Sequence, residues 1–130
     1  MIGLDTNVLL RLLLRDEPDQ LRRAEGLVRA DGGRATVNEL VVAETAWTLS
    51  RKPGADQREV EARLAALLSG RRLTALDPKV LSLAAAESVA HGFGLADGLI
   101  AARNRAAGCE TTYTFDRRAA RSDLFTLVPA

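Results

Sequence analysis

The stretch that decides the fold is residues 1–18, MIGLDTNVLLRLLLRDEP. A short apolar run ends at Asp5, two more polar residues follow, and apolar residues then resume for about two helical turns. This pattern predicts a buried strand at residues 2–4 and a helix over 8–14. Asp5, Thr6 and Asn7 stand at the start of that helix, where such residues accept hydrogen bonds from exposed N–H groups. An acid between two buried segments is costly unless a partner satisfies it, so the question is what satisfies Asp5.

The alternation of short apolar strands and helices continues to the end of the chain. Pro, Gly and Asp mark the boundaries between these segments. The pattern predicts further strands at residues 35–37, 73–76, 111–115 and 125–128, helices at 18–30, 38–50, 78–92, 95–107 and 117–121, a helix beginning after Asp56, and a turn at 31–33. Strands that alternate with helices are typical of an α/β protein with a mostly parallel sheet covered on both faces.

The composition is that of an ordinary globular protein and excludes several classes. The 130 residues, 47% of them hydrophobic and 27% charged, suggest one domain over residues 1–130 with room for a core. No apolar stretch is long enough to cross a membrane, and the N-terminus resembles no signal peptide. The single cysteine, Cys109, cannot form an internal disulfide, and this favours a cytoplasmic location. We expect Cys109 to be a buried small residue.

Four acidic residues occupy unusual positions. Asp5 and Asp116 each follow a predicted strand directly, and sites in parallel sheets form at the carboxyl ends of strands. Glu44, in ELVVAETAWTL, and Asp97, in FGLADGLIAA, interrupt apolar helix faces. Taken singly, each acid has an ordinary explanation as a helix cap or a solvated charge. Taken together, two acids at one sheet edge and two on apolar helix faces are hard to explain by capping.

A group of carboxylates repels itself unless it binds a cation. Two unit charges at about 4 Å cost on the order of 4 kcal/mol at an effective dielectric of about 20. Ligands that are all oxygen, without Cys or His, suit Mg²⁺ or Mn²⁺ better than zinc. We therefore expect a divalent metal to satisfy Asp5. No nucleotide cofactor is expected, because HGFGLADG lacks the pattern of a phosphate-binding loop.

The basic residues suggest an anionic partner. The net charge is +1, but with the four acids set aside the 18 basic side chains outnumber the other acids by about five. Arg103, Arg117 and Arg118 are candidates for phosphate contacts, since a guanidinium offers a two-pronged hydrogen-bonding group. An ordinary solvated basic surface remains the alternative. Trp47 could stack on a base, but core or dimer packing is favoured.

The sequence also resembles a PIN-domain ribonuclease, and more narrowly the VapC-type toxins of type II toxin–antitoxin pairs. The resemblance covers nearly the whole chain. It rests on four segments in order: IGLDTNVLLRLL, VVAETAWTLSR, GLADGLIAARNRAAGC and TTYTFDRR. These segments correspond to the family's first strand with Asp-Thr-Asn, the helix with its Glu, the helix with its next Asp, and its last acidic position.

The resemblance implies a three-layer α/β/α sandwich with a mostly parallel sheet of about five strands. It implies an endoribonuclease dependent on Mg²⁺ or Mn²⁺, which leaves a 5′-phosphate and a 3′-hydroxyl on a target such as a tRNA or rRNA loop. It also implies a homodimer and a cognate VapB-type antitoxin. The residues that correspond to the family's metal-binding and catalytic acids are Asp5, Glu44, Asp97 and Asp116, supported by Thr6, Asn7 and Thr114.

Other interpretations stay open. The chain could be a PIN nuclease that is not a toxin, or a degenerate PIN module that binds RNA or an antitoxin without cleaving. A phosphatase of the haloacid dehalogenase type also places an Asp after its first strand. That class needs a second Asp two residues on, where this chain has Asn7.

Overall fold

Short strands are separated mostly by pairs of longer helices in the computed structural model, which describes residues 1–30, 32 and 34–130. Polar side chains begin several helices: Asp5, Asn38 and Asp56 each accept a hydrogen bond from the backbone N–H three residues on. In chain order the elements are β1 (Ile2–Gly3), α1 (Thr6–Leu14), α2 (Pro18–Ala30), β2 (Ala35–Val37), α3 (Glu39–Ser50), α4 (Gln57–Leu67), β3 (Leu73–Ala75), α5 (Pro78–His91), α6 (Leu95–Ala106), β4 (Thr112–Thr114), a 3-10 helix (Ala119–Arg121) and β5 (Phe125–Leu127).

The chain divides into two compact units, of which the first is Met1–Pro78. It contains a parallel sheet in the order β1-β2-β3, with Ile2 opposite Ala35 and Ala35 opposite Leu73. Every residue of β2 is buried, as expected for a central strand. Helix α1 packs against α2 and α3, and α3 packs against α4. The position of α1 is thereby fixed, and with it the residues at its start.

The second unit, Lys79–Ala130, contains α5, α6 and the parallel pair β4-β5. Its core includes Phe93 and Phe125, whose rings meet edge to face with centroids 5.3 Å apart. The buried Ser122 hydroxyl donates a hydrogen bond to Glu87 at 2.5 Å and accepts one from the Leu124 N–H at 3.1 Å. These bonds tie the segment before β5 to helix α5.

The predicted α/β fold with parallel strands is confirmed, and one feature of the sheet differs from the prediction. In the part of the chain that the structure describes, five strands lie in two small sheets of three and two strands, whereas one sheet was expected. Strands of two or three residues carry too little side-chain pattern to specify which strand pairs with which. The predicted helix boundaries agree with the structure to within about two residues, and the last of these helices, Ala119–Arg121, is a 3-10 helix. The interpretation of residues 1–130 as one domain stays a prediction.

The structure corrects two expectations about burial. Of the two roles favoured for Trp47, core packing is wrong and dimer packing stays a prediction: the residue is 60% exposed, and the Arg51 guanidinium lies over its ring at 4.3 Å from the centroid. The prediction that Cys109 is buried is wrong: the residue is exposed, because it lies just after the turn that ends helix α6, where Gly108 has a φ of 103°. Of the turn predicted at 31–33, Asp31 and Gly33 lie outside the described residues, and Gly32 has a φ of 69°. None of the helices in the described part of the chain has the length and apolar character needed to span a membrane.

Candidate active site

Asp5 lies two residues beyond the end of β1 and is the N-cap of α1. Its Oδ1 accepts a hydrogen bond from the Val8 N–H at 3.0 Å. The residue is exposed, so the burial that the sequence suggested for its surroundings does not extend to Asp5 itself. One oxygen of this carboxylate is therefore held by the helix, while the residue as a whole remains open to solvent.

Thr6 links the start of α1 to Glu44 on α3. Its hydroxyl donates a short hydrogen bond to Glu44 Oε1. Glu44 is exposed, and so are its neighbours on the same helix face, Leu40 at 77% and Trp47 at 60%. The sequence correctly indicates that Glu44 interrupts an apolar face, but that face is uncovered in this chain. Because Asp5 and Thr6 are adjacent, the first unit brings two of the four acids to the start of α1.

A cleft of about 480 Å³ lies beside Asp5 in the first unit. Asn7 lines it together with Asp5, and its other polar lining residues are Arg11, Gln20 and Arg23. Arg11 forms an ion pair with Asp16 at 3.0 Å, which holds its guanidinium in place. These two arginines were not predicted from the sequence, since nothing in the spacing of α1 and α2 indicates that their side chains share a cleft.

Asp97 lies in the first turn of α6, whose N-cap is Gly94 and not Asp97. The exposed side chain is thus on the helix proper, near the end where a negative charge is favourable. The next residue, Gly98, is buried against α5: a Cβ built there would lie 2.8 Å from the Ala84 carbonyl oxygen. Close contact of α6 with α5 therefore fixes the turn that carries Asp97, and this role of Gly98 was not predicted from the sequence.

Asp116 follows β4 and is held by a local network. Its N–H donates to Thr114 Oγ1 at 3.0 Å, and its Oδ1 accepts from the N–H groups of Arg118 at 2.9 Å and Ala119 at 3.3 Å. The residue is exposed. As with Asp5, one carboxylate oxygen caps the turn that follows the strand. The Thr114 hydroxyl fixes the backbone at this point.

Taken one by one, these residues offer the oxygen ligands that suit a hard divalent cation. Asp5, Glu44 and Asp116 each use one carboxylate oxygen in a hydrogen bond, and the described residues place no donor on the second oxygen. Each carboxylate thus has a fixed orientation and a spare acceptor, which is what a metal ion or its waters require. Within the described part of the chain, no group of three or more His, Cys, Asp or Glu lies close enough together to hold a metal.

The predicted RNA-binding arginines differ in environment. Arg117 and Arg118 are exposed, and in the described ranges no acid forms a salt bridge with either side chain. Arg103 is half-buried in the last turn of α6, where a positive charge is favourable. The two residues next to Asp116 are therefore the more accessible cations.

The parallel α/β architecture, with acids placed after strand ends, defines a class of protein that binds its ligands at the carboxyl ends of strands. The PIN domain family matches residues 2–123, a range that includes all four acids. The chain therefore belongs to the PIN domain family, whose members are generally metal-dependent nucleases. No curated protein matches the chain.

Proposed function

We propose that this chain is a metal-dependent endoribonuclease. The observation that carries the proposal is the PIN-domain match over residues 2–123, a range that includes all four of the acids proposed for the site. In this proposal Asp5, Glu44, Asp97 and Asp116 hold Mg²⁺ or Mn²⁺. When bound, such a metal supplies Lewis-acid chemistry, which polarises the phosphate and activates water for attack.

The protein's own contribution is orientation. The Val8 N–H holds Asp5 through one oxygen, and the Thr6 hydroxyl does the same for Glu44. Two backbone N–H groups hold Asp116. Carboxylates fixed in this way lose little freedom when they bind a cation, so ordering the site costs less of the binding free energy.

RNA is the proposed substrate because the chain has cations to neutralise its phosphates. Arg117 and Arg118 directly follow Asp116 and are exposed, and Arg103 lies on the helix that carries Asp97. A guanidinium contacts a phosphate through two parallel hydrogen bonds. We propose that these arginines bind phosphates of the substrate strand.

The test is cleavage of labelled total tRNA and rRNA by the purified protein with Mg²⁺, with Mn²⁺ and with EDTA. The proposal requires cuts that need metal and that leave a 5′-phosphate and a 3′-hydroxyl. Asp5→Asn removes the charge of a proposed metal ligand and is the matched control, which should not cut RNA. A folded protein that binds RNA but cuts nothing with either metal would instead be the binding module without catalysis.

We further propose that the nuclease is the toxin of a type II pair and forms a homodimer. Its resemblance to VapC-type toxins supports this role, and so do two apolar surfaces. One is the exposed face of α3 with Leu40 and Trp47, a candidate for the dimer contact. The other is a groove of about 400 Å³ between α1, α3 and α4, which would take a segment of a VapB-type antitoxin; its apolar lining includes Leu13, Leu14, Leu49, Val60 and Leu64.

Expression in a bacterial host separates a toxin from another PIN nuclease. A toxin stops growth when it is expressed alone, and its Asp5→Asn variant does not. Co-expression of the antitoxin, encoded by a small open reading frame directly upstream of the toxin gene, restores growth. A chain that cleaves RNA in the test tube but leaves growth unchanged is a PIN nuclease without the toxin role.

A further inference from the structure

Two aromatic side chains next to Asp116 are exposed. The chain has five aromatic residues, and Phe93 and Phe125 are buried against each other. In contrast, Tyr113 on β4 is 63% exposed, and Phe115, directly before Asp116, is 85% exposed. Neither ring contributes to the core of the second unit. Two neighbouring apolar rings in water are the kind of surface that marks a binding site.

The backbone that carries these rings is held firmly. Tyr113 pairs with Thr126 in the β4-β5 sheet, and the Val128 N–H donates to the Thr114 carbonyl at 2.9 Å. Phe115 lies between Thr114 and Asp116, which are joined by the hydrogen bond from the Asp116 N–H to Thr114 Oγ1. A ligand that covers the rings therefore loses little free energy to ordering the chain beneath them.

The charges around the rings indicate what covers them. Arg117 and Arg118 follow directly, and in the portion of the chain that the structure describes neither forms a salt bridge. A partner that is complementary to both features offers flat apolar groups and negative charges at short intervals. Every nucleotide of a single strand offers both, a base with a π-face and a phosphate. In a duplex the bases are stacked on each other and leave no face free.

We propose that Tyr113 and Phe115 form a stacking platform for bases of single-stranded RNA, with Arg117 and Arg118 on the adjoining phosphates. The choice of RNA rests on the proposed function, since the platform directly precedes the proposed metal ligand Asp116. Tyr113 lies on β4 and Phe115 at the bend that follows it, and the large exposed fraction of each side chain leaves each ring available to a base of its own. The platform selects unpaired nucleotides over paired ones.

The first experiment measures stacking without cleavage. In Trp47→Phe/Phe115→Trp the chain has a single tryptophan, at the platform, because Trp47 is the natural one. Its fluorescence is titrated in EDTA with a 12-nucleotide oligoadenylate, with an abasic strand of the same length, and with a 12-base-pair RNA duplex. We expect saturable quenching by oligoadenylate alone. Equal quenching by all three, or by none, would overturn the proposal.

The second experiment separates stacking from simple apolar contact. Binding of fluorescent oligoadenylate in EDTA should weaken about tenfold in Phe115→Leu, the typical loss for one stacked base, and should be retained in Phe115→Trp. Tyr113→Leu should weaken binding similarly, and Tyr113→Phe should not. Val89→Ala, which trims a 76% exposed apolar side chain elsewhere in the same unit, is the control. Thermal unfolding of each variant verifies its fold.

The outcomes distinguish this inference from the proposed function. If Phe115→Leu binds RNA as the parent does, the platform is wrong, and the rings are a contact for an apolar protein surface. If Phe115→Leu and Tyr113→Leu cleave RNA with the parent's KM, the stacking proposal is wrong and the proposed nuclease function is retained. If the rings are needed for RNA binding but the protein cleaves RNA with neither Mg²⁺ nor Mn²⁺, the stacking proposal is retained and the proposed nuclease function is wrong.

Discussion

At the scale of single residues, Asp5 acts as a helix cap and is free to act as a ligand as well. One oxygen accepts the Val8 N–H, and the other is left without a donor by the described residues. Capping and metal binding are therefore compatible functions of one carboxylate. A substitution that keeps the cap but removes the charge can separate the two.

Asp5→Asn is that substitution, because asparagine is about as good an N-cap as aspartate. We expect the free energy of unfolding to change by less than about 1 kcal/mol, while metal-dependent RNA cleavage is lost. Asp56→Asn is the matched control: Asp56 caps α4 through the Glu59 N–H at 3.2 Å and has no part in the site. Urea unfolding and a cleavage assay are run on both proteins. Full activity in Asp5→Asn would refute its role as a ligand.

Thr6 orients Glu44 through its hydroxyl, which predicts a loss of activity in Thr6→Val. Valine keeps the shape of the side chain and removes the donor, so Glu44 loses its fixed position. We expect cleavage to fall about tenfold, in line with other residues that orient metal ligands. Thr6→Ser retains the hydroxyl and should retain most of the activity. Equal activity in the valine and serine variants would contradict this role.

The sequence predicts the positions of the acids better than their surroundings. Asp5 and Asp116 follow strand ends as expected, because the change from an apolar run to a polar residue is a local pattern. The exposure of Trp47 was not predicted, since periodicity identifies an apolar helix face but not whether another element covers it. The bond from Thr6 to Glu44 joins residues 38 positions apart and has no sequence signal.

At the scale of elements, the position of Asp97 depends on how closely α6 approaches α5. Gly98 permits this contact, because any Cβ there would meet the backbone of Ala84 at 2.8 Å. Backbone atoms cannot move aside as a flexible side chain can. The sequence carries no sign of this contact, since a glycine inside a helix looks the same whether it packs closely or is merely tolerated.

Gly98→Ala should therefore destabilise the protein by about 1–3 kcal/mol, the usual cost of overpacking. Gly26→Ala is the control, since Gly26 lies in α2 and a Cβ there meets nothing within 4 Å. That variant should be about 0.5–1 kcal/mol more stable than the parent, because alanine favours a helix. Urea unfolding measures both changes. Two variants of equal stability would mean that the α5–α6 contact is not tight.

Element boundaries follow from local chemistry, and strand pairing does not. Asp5, Asn38 and Asp56 start their helices as the sequence predicts, and Gly108 ends α6 with its φ of 103°. The arrangement of five strands in two sheets depends instead on pairing between distant segments. Short strands give that pairing few cross-strand side chains to specify it.

At the scale of the whole molecule, a net charge of +1 conceals an uneven distribution between acids proposed to hold metal and exposed arginines. RNA binding by such a protein should weaken as salt rises, because phosphate contacts release counterions. The logarithm of the association constant falls linearly with the logarithm of the salt concentration. In Arg117→Gln/Arg118→Gln we expect this slope to become less negative by about 0.7 for each phosphate that is no longer neutralised. The control is Arg63→Gln, whose guanidinium is paired with Glu59 at 2.6 Å. Fluorescence anisotropy in EDTA gives both slopes, and equal slopes would exclude these arginines from the RNA interface.

The proposed nuclease activity depends most on whether the four carboxylates act together on one metal site. Mn²⁺ binding, followed by electron paramagnetic resonance of the free ion, tests this without any substrate. We expect Asp5→Asn, Glu44→Gln, Asp97→Asn and Asp116→Asn each to weaken Mn²⁺ binding at least tenfold, while Asp56→Asn binds as the parent does. If the variants of Asp97 and Asp116 bind Mn²⁺ as tightly as the parent, the four acids are not one site, and the proposed metal centre is wrong.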